Sequence, residues 1–332
     1  MQKGERFIRK IDAIKRTIEV KHQKEFIRLY KRIGNDLINL LQRNQSINFY
    51  EVLQNYKGDY IYLYRNIFQD VKKQLGYGIR EQFNFNLGLQ VVLKASNVDI
   101  SDQEKINDIF DEKYTLLLNN ETEKIANDQF ITSEANYFEN LYKKSVGSID
   151  EFIEKQKAEE KKLNIELFAL ALNSQNTKDR QRVRYLQKQT QALKTNIQKY
   201  TTQRQKEVLK GYVKVLQDKI PLRAESNSMY GTGQASSIVR EAEYESIKES
   251  NIVMNAATGT TLINRIKKIW WERSQFMLNA KPRQNHLALS GTQANSQGYF
   301  FVDNYLVQRP RDYSLPAEES ANCRCEVEYE VL

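Results

Sequence analysis

Histidine and cysteine are the residues in this chain that could support nucleophilic or metal chemistry, and both are scarce. The 332 residues include two histidines, His22 and His286, and two cysteines, Cys323 and Cys325. A Ser-His-Asp or Cys-His relay needs a histidine beside its nucleophile, so this composition leaves few catalytic options. His22 lies in a polar, basic stretch, and we expect it to be a surface residue. The sequence contains no G-x-x-x-x-G-K-[ST], H-E-x-x-H or G-x-S-x-G motif, and we predict that the protein is not an enzyme.

His286 and the two cysteines could share a metal ion. Cys323 and Cys325 are two residues apart in a predicted strand, which points both thiols to the same face. Zinc would bind the two thiolates and the imidazole, and an acidic side chain would complete four ligands. The acidic candidates are Asp303, Asp312 and Glu326. The C-x2-C spacing of zinc knuckles is absent, so buried reduced thiols and a hydrogen-bonded structural histidine are the competing interpretation, under which no cofactor is expected.

Proline placement indicates which elements position these residues. All four prolines, at positions 221, 282, 310 and 316, follow residue 220, and proline is the residue that most strongly breaks helices. Apolar residues repeat at helical spacing near the start, as at Ile11, Ile14 and Ile18. We therefore predict a mainly α fold of long helices with a small C-terminal α+β module.

A short heptad pattern lies within the helical part. Its seam consists of Val183, Leu186, Thr190, Leu193, Ile197 and Tyr200. Alternate spacings of three and four residues are typical of a coiled coil. The pattern covers fewer than three full heptads, so a coiled-coil-like antiparallel hairpin or bundle edge competes with an oligomeric coiled coil.

Composition divides the chain into three regions. Residues 1–221 are predicted to form a helical body with basic helices. Residues 222–235, LRAESNSMYGTGQA, gather Ser, Gly, Asn and Thr without an apolar period, which predicts a flexible linker or loop. Residues 236–332 are predicted to form the C-terminal module, with helices over 236–257 and 261–278. Short strands are predicted in GYFFVDNYLV and CEVEYEVL.

Positive charge is concentrated in two helical segments. Residues 1–50 carry 12 Lys+Arg against 5 Asp+Glu, and residues 178–219 carry 12 against 3, within a formal net charge of +9. Such segments could follow the phosphates of double-stranded DNA without sequence specificity, or they could simply be solvated helix faces. The candidate nucleic-acid contacts are Arg180, Arg182, Arg184, Lys188, Lys194, Lys199, Arg204 and Lys206.

Hydropathy argues against a membrane protein. The sequence has no run of 18 apolar residues and no secretory signal at its start, so we expect no membrane partner. Two cysteines cannot form a disulfide framework, which indicates folding in the cytoplasm.

The C-terminal residues follow an order that points to one protein family. An R-x-x-E pair opens a helix, followed by a Trp-containing helix, R-x-x-H-x-x-x-x-G, an aromatic strand, a proline-rich turn and a terminal N-C-R-C. In this chain the residues are Arg240, Glu243, Trp270 or Trp271, Arg283, His286, Gly291, Phe300, Phe301, Pro310 or Pro316, Asn322, Cys323, Arg324 and Cys325. Over residues 236–327 the chain resembles the phage Mu F-like head morphogenesis family. It departs from the family where the usual R-T-E is replaced by R-E-A-E at residues 240–243.

The resemblance implies a minor capsid protein of a tailed phage that acts near the portal in head assembly and in DNA packaging or delivery. Portal and capsid proteins would be its partners, and it would be found in the virion and, during assembly, in the host cytoplasm. Two alternatives stay open. One is a zinc-dependent enzyme or toxin-like module that uses His286, Cys323 and Cys325, with Glu243 or Glu326 as proton carrier. The other is a free basic coiled-coil protein that binds nucleic acid.

Overall fold

A computed structural model describes residues 3–43, 47–75, 99–125, 127–173, 177–255, 258–272, 283–312, 314–316, 319 and 323–331. The structure is 78% helical, which confirms the predicted mainly α fold with a small α+β part near the C-terminus. The helices are α1 (Lys3–Gln42), α2 (Phe49–Gln54), α3 (Lys57–Leu75), α4 (Ile100–Ile125), α5 (Asp128–Asn173), α6 (Thr177–Thr202), α7 (Arg204–Ser250) and α8 (Gln284–Ala288). The strands are β1 (Val253–Asn255), β2 (Thr260–Thr261), β3 (Ile266–Trp271), β4 (Phe300–Val302), β5 (Tyr305–Val307) and β6 (Glu326–Val331), and a 3-10 turn spans Leu262–Arg265.

The chain divides into two compact units that do not follow sequence order. The first unit contains residues 1–29, 57–127 and 222–332, and the second contains residues 30–56 and 128–221. The N-terminal residues therefore belong with the C-terminal module. The predicted helical body, residues 1–221, is shared between the two units.

Helices α5 and α6 of the second unit form an antiparallel hairpin. Arg182 Nη2 lies 2.7 Å from Glu166 Oε1 near one end, and the rings of Phe152 and Tyr200 are 4.7 Å apart near the other. The six seam residues are buried or half-buried, and Leu186 is fully enclosed. The heptad pattern therefore marks a hairpin within one chain, the first of the two interpretations.

The rest of the second unit packs around buried tyrosines. Tyr30 Oη donates to Glu134 Oε2 at 2.8 Å, which joins α1 to α5. The rings of Tyr142 and Tyr212 meet edge to face at 5.6 Å, which joins α5 to α7. The buried hydroxyl of Tyr30 needs a hydrogen-bond partner, and aromatic pairs prefer edge-to-face geometry. Both contacts therefore favour one alignment of the helices.

His22 lies in the first unit, and the prediction that it is a surface residue is wrong. Its side chain is 0% exposed, with Nδ1 2.7 Å from Glu25 Oε2 and Nε2 2.8 Å from Asp70 Oδ2. Glu25 is on the same helix, whereas Asp70 comes from α3. Nearby, the rings of Phe26 and Tyr64 pack edge to face at 5.5 Å. The local sequence around His22 is polar, and the residue is buried because α3 packs on this face of α1.

Helix α7 contains the segment 222–235, so the prediction of a flexible linker or loop there is wrong. Ser228 Oγ donates to the carbonyl of Glu19 at 2.6 Å. A Cβ atom at Gly231 would lie 2.9 Å from Tyr64 Cε1. Residues 231–240 are all buried. Small side chains let other elements approach α7 from several sides, and this packing outweighs their low helix propensity.

The C-terminal strands form three antiparallel pairs, β1 with β2, β3 with β6 and β4 with β5. The β3–β6 register runs from Ile266 opposite Val331 to Trp271 opposite Glu326. Strands β4, β5 and β6 confirm the predicted strands. The helix predicted over 261–278 is wrong for residues 266–271, which form β3, so Trp270 and Trp271 lie on a strand. The β-branched and aromatic residues of β3 favour a strand, because they fit a pleated, half-buried surface.

Candidate metal centre

His286, Cys323 and Cys325 come together at one buried point in the first unit. His286 lies on α8, and the two cysteines immediately precede β6. His286 Nδ1 is 3.3 Å from Cys325 Sγ and 3.6 Å from Cys323 Sγ. Among the described residues, these three form a group whose ligand atoms lie within 4.8 Å of one another. Both cysteines are free thiols, and two thiolates and an imidazole are a donor set that suits zinc.

Glu319 lies beside the histidine ring. His286 Nε2 lies 2.9 Å from Glu319 Oε2, and the Trp270 ring meets the imidazole edge to face at 5.9 Å. The contact with Glu319 is an ion pair without hydrogen-bond geometry, because Nε2 has no hydrogen-bond partner among the described residues. Nδ1 is the ring atom that faces the two sulfur atoms. Metal-binding histidines usually donate their second ring N–H to a carboxylate or carbonyl, and Glu319 lies close enough to take that role.

Arg283 and Asn285 hold Glu319 in place. Arg283 Nη1 donates to the backbone carbonyl of Glu319 at 2.7 Å. Asn285 Nδ2 donates to Glu319 Oε2 at 3.1 Å and to Asp303 Oδ2 at 2.8 Å. The predicted motif residue Arg283 therefore supports the cluster through Glu319. Sequence reasoning missed Glu319, because its distance from His286 along the chain matches no ligand spacing.

Electrostatic effects make the two thiols unequal. The hydrogen bond from Cys325, together with His286 and Arg311, holds the pKa of the Cys323 thiol well below its usual value despite burial. Burial raises the pKa of the Cys325 thiol well above its usual value. Burial alone would lower the pKa of His286, but the hydrogen bond to Cys323 and the charges of Cys323 and Glu319 raise it. A cation at this point would favour the deprotonated form of both thiols and the neutral ring.

Arg311 ties the cysteine segment to α7. Its backbone has a φ of 60°, in the left-handed region. Nη1 donates to the Gly233 carbonyl at 3.0 Å and to Ser237 Oγ at 3.2 Å, and Nη2 donates to the Cys323 carbonyl. A Cβ atom at Gly233 would lie 2.6 Å from Arg311 Cζ. The guanidinium therefore requires a glycine on α7, a requirement that spacing along the sequence does not reveal.

A cavity of about 300 Å³ reaches the cluster from one side. Its wall includes Cys323 and the half-buried Arg324, together with Lys15, Tyr230 and Arg311. The cavity lies next to Cys323, and a metal site requires an entry path of this kind. The predicted motif residue Arg324 thus lies beside the cluster.

Arg240 and Glu243 join α7 to β6. Arg240 Nη1 lies 2.9 Å from Glu243 Oε2, and both side chains are buried. Tyr329 Oη donates to the Arg240 carbonyl, and the Arg240 guanidinium lies 5.9 Å from the centre of the Tyr329 ring. This predicted pair is therefore a structural connection between a helix and a strand.

Gly291 and the tryptophans connect α8 to β3. Gly291 has a φ of 85°, a conformation that favours glycine, and its N–H donates to the Trp270 carbonyl at 2.7 Å. Trp271 Nε1 donates to Glu328 Oε2 at 2.8 Å on the other face of the strand. The remaining motif residue, Asn322, lies outside the described residues.

None of the three acidic residues predicted as a fourth zinc ligand belongs to this group of ligand atoms. Asp303 accepts from Asn285, Asp312 accepts from the Gln308 backbone at 2.9 Å, and Glu326 pairs with Lys15 and Ser236. Asp303 and Asp312 are therefore engaged in local contacts, and Glu326 is engaged on the face of β6 opposite the cysteines, so none of the three lies at the cluster in this structure.

The eight candidate nucleic-acid contacts are all exposed. Three of them pair with acidic residues in the second unit. These pairs are Arg182 with Glu166 at 2.7 Å, Lys194 with Glu160 at 3.9 Å and Arg204 with Asp150 at 2.7 Å. The other five, Arg180, Arg184, Lys188, Lys199 and Lys206, are the stronger candidates for contact with phosphate. No described helix combines the length and the apolar character needed to cross a bilayer.

The chain matches none of the protein-family models, curated proteins or solved structures with which it was compared.

Proposed function

We propose that this chain is a minor capsid protein in the head morphogenesis of a tailed phage, a structural component that acts near the portal. The observation that carries the proposal is the convergence of its motif residues. Trp270 contacts His286, whose ring faces Cys323 and Cys325, although these residues are far apart in the sequence. The resemblance to the Mu F-like family rests on these residues, and a shared buried cluster gives a physical reason for their occurrence together.

The surface of the helical hairpin supports an assembly role. Ile165 and Phe168 on α5 are 62% and 68% exposed, and large exposed apolar side chains are suited to contact with another protein. Basic side chains line α6 close by. Such a surface would bind a portal or capsid protein, and its charge would favour packaged DNA.

Particle composition tests the proposal. Purified virions and assembly intermediates would be analysed by quantitative mass spectrometry, with the portal protein as the reference for copy number. We expect the chain at low copy number in at least one stage. Its absence from particles at every stage would overturn the proposal.

We also propose that α6 contacts double-stranded DNA without sequence preference. Replacing Arg180, Arg184 and Lys188 by alanine should weaken binding and reduce the slope of log affinity against log salt by about 0.9 for each lost phosphate contact. The matched control replaces Lys155 and Lys157, exposed lysines of α5 that pair with glutamates. A slope that is flat with salt in the parent protein would contradict the contact. Salt-dependent binding by a chain absent from all particles would instead favour a free nucleic-acid-binding protein.

Zinc binding is a second candidate function, favoured by the His286, Cys323 and Cys325 cluster and by the Glu319 carboxylate on the far side of the ring. Bound zinc would hold α8 against the start of β6 and stabilise the module. The enzyme or toxin-like alternative also needs a proton carrier, but Glu243 pairs with Arg240 and Glu326 pairs with Lys15. A structural ion is therefore the better supported form.

Metal analysis of the natively purified chain tests zinc binding. We expect about one zinc per chain, because a donor set of this kind retains the ion. A content below about 0.1 zinc per chain, with no uptake on addition of zinc, would remove this candidate.

A further inference from the structure

The side chains of β3 alternate between two faces, and one face leads to His286. Lys268 Nζ lies 4.5 Å from the centre of the Tyr244 ring. Two residues later, the Trp270 ring contacts Phe300 at 5.2 Å and His286 at 5.9 Å. Because strand residues two apart share a face, Glu272 is the next side chain on the face that approaches the histidine.

The partner strand gives the same placement. The register places Lys268 opposite Tyr329 and Trp270 opposite Val327. One further step in this antiparallel register would place Glu272 opposite Cys325, and opposite residues project from the same face. Trp271 donates to Glu328 on the other face, which agrees with this alternation.

Burial supports the placement. Glu272 is 3% exposed. The continued register places it beside Cys325, which is also buried. The backbone N–H of Glu272 donates to Ser290 Oγ at 3.0 Å, which fixes the backbone at this position. A carboxylate is a ligand that zinc accepts together with thiolates and imidazole.

We propose that Glu272 is the fourth protein ligand of the zinc site formed by His286, Cys323 and Cys325. The inference rests on the proposed zinc binding. Glu272 lies outside the group of atoms within 4.8 Å, so its side chain rotates toward His286 Nδ1 when metal binds. Four protein ligands exclude water from the ion, and such a closed site is structural rather than catalytic.

Cobalt substitution of the full chain tests the ligand set, because Co²⁺ reports tetrahedral geometry and thiolate ligands in its absorption spectrum. The metal-stripped protein would be titrated with Co²⁺, and Zn²⁺ affinity would be measured by competition with a chelating dye. Glu272→Gln should lower Zn²⁺ affinity by more than about 100-fold, because a lost ligand costs more than a lost outer-shell partner. Glu272→Cys should add a third thiolate-to-cobalt charge-transfer contribution and keep the tetrahedral bands.

Two further variants serve as controls. Glu328→Gln alters a buried glutamate on the opposite face of β6 and should leave metal affinity unchanged. Glu319→Gln should lower affinity by about 10- to 100-fold, because it removes the carboxylate beside His286 Nε2. If Glu272→Gln unfolds the module, the spectrum of Glu272→Cys decides the assignment.

The outcomes separate the two proposals. Metal binding by the parent chain, with unchanged affinity in Glu272→Gln and no added charge transfer in Glu272→Cys, would overturn Glu272 as a ligand and leave zinc binding intact. A water molecule would then hold the fourth position. Failure of the parent chain to bind either Co²⁺ or Zn²⁺ would overturn both.

Discussion

Lys268 carries a buried ammonium group in the C-terminal module. Its Nζ donates to the carbonyls of Gly298 and Gln308 and lies over the Tyr244 ring. Burial lowers the pKa of Lys268 to about 8. Between about pH 8 and 10.5 the unfolded chain therefore binds more protons at this residue than the folded chain does. The contribution of Lys268 to stability should rise with pH across this window.

Lys268→Met should remove that rise. The variant keeps most of the side-chain volume and has no titrating group, so its stability relative to the parent should decrease as the pH increases from 8 to 10. The chain's two tryptophans, Trp270 and Trp271, both lie on β3, and their fluorescence would follow unfolding of this part of the molecule. A difference between parent and variant that does not change with pH would contradict the prediction.

Cys323→Ala and Cys325→Ala should each destabilise the C-terminal module. Removal of a buried thiol costs about 1–3 kcal/mol, and the cost is larger if the thiol binds a metal. Thermal unfolding would be followed by tryptophan fluorescence with and without a chelator. A chelator should lower the midpoint of the parent and leave the variants unchanged if metal is bound. Melting curves of the variants that match the parent would refute both forms of the prediction.

At the scale of elements, a glycine on helix α7 allows the effect of packing to be distinguished from that of helix propensity. Gly231→Ala places a Cβ 2.9 Å from Tyr64, whereas a Cβ at Gly58 on α3 meets nothing within 4 Å. Alanine has the higher helix propensity in both cases. Gly231→Ala should nevertheless destabilise the first unit by about 1–3 kcal/mol, and Gly58→Ala should be neutral or slightly stabilising. Equal unfolding midpoints in chemical denaturation would contradict this account.

The elements that were predicted correctly are those whose own residues show a helix or strand pattern. The α6 seam has the spacing of a helix–helix contact, and the β4–β5 hairpin and β6 have aromatic or β-branched runs. The segment 222–235 and strand β3 were predicted wrongly. In both segments the conformation depends on partners far away in the sequence. Gly233 packs against Arg311, and β3 pairs with β6 along its whole length. A short stretch of sequence contains no information about such partners.

The candidate site shows the same limit. Residue chemistry and the family resemblance selected His286, Cys323 and Cys325 from the sequence. Glu319 and Glu272 were not selected, because carboxylates are common in this chain and these two are distinguished only by the fold. The orientation of an imidazole and the alternation of a strand are properties of the folded structure.

At the scale of the molecule, a buried ion pair joins residues from opposite ends of the described chain. Lys15 Nζ on α1 pairs with Glu326 on β6, and both side chains are 1% exposed. Lys15→Met should destabilise the first unit by about 3–5 kcal/mol, because it leaves a carboxylate buried without this cation.

The double variant Lys15→Met with Glu326→Met should recover much of that loss, because both charges are removed together. The measurement is the free energy of unfolding from denaturant titrations followed by tryptophan fluorescence. If the change in free energy of unfolding in the double variant equals the sum of the changes in the two single variants, a direct interaction is contradicted.

The Lys15–Glu326 pair also constrains how the protein is made. Synthesis proceeds from the N-terminus, so α1 leaves the ribosome roughly 300 residues before β6. Until β6 has been synthesised, Lys15 cannot pair with Glu326, and α1 lacks this contact. The first unit therefore becomes complete only after β6 has been synthesised, and products that stop before residue 326 would expose apolar surface to chaperones and proteases.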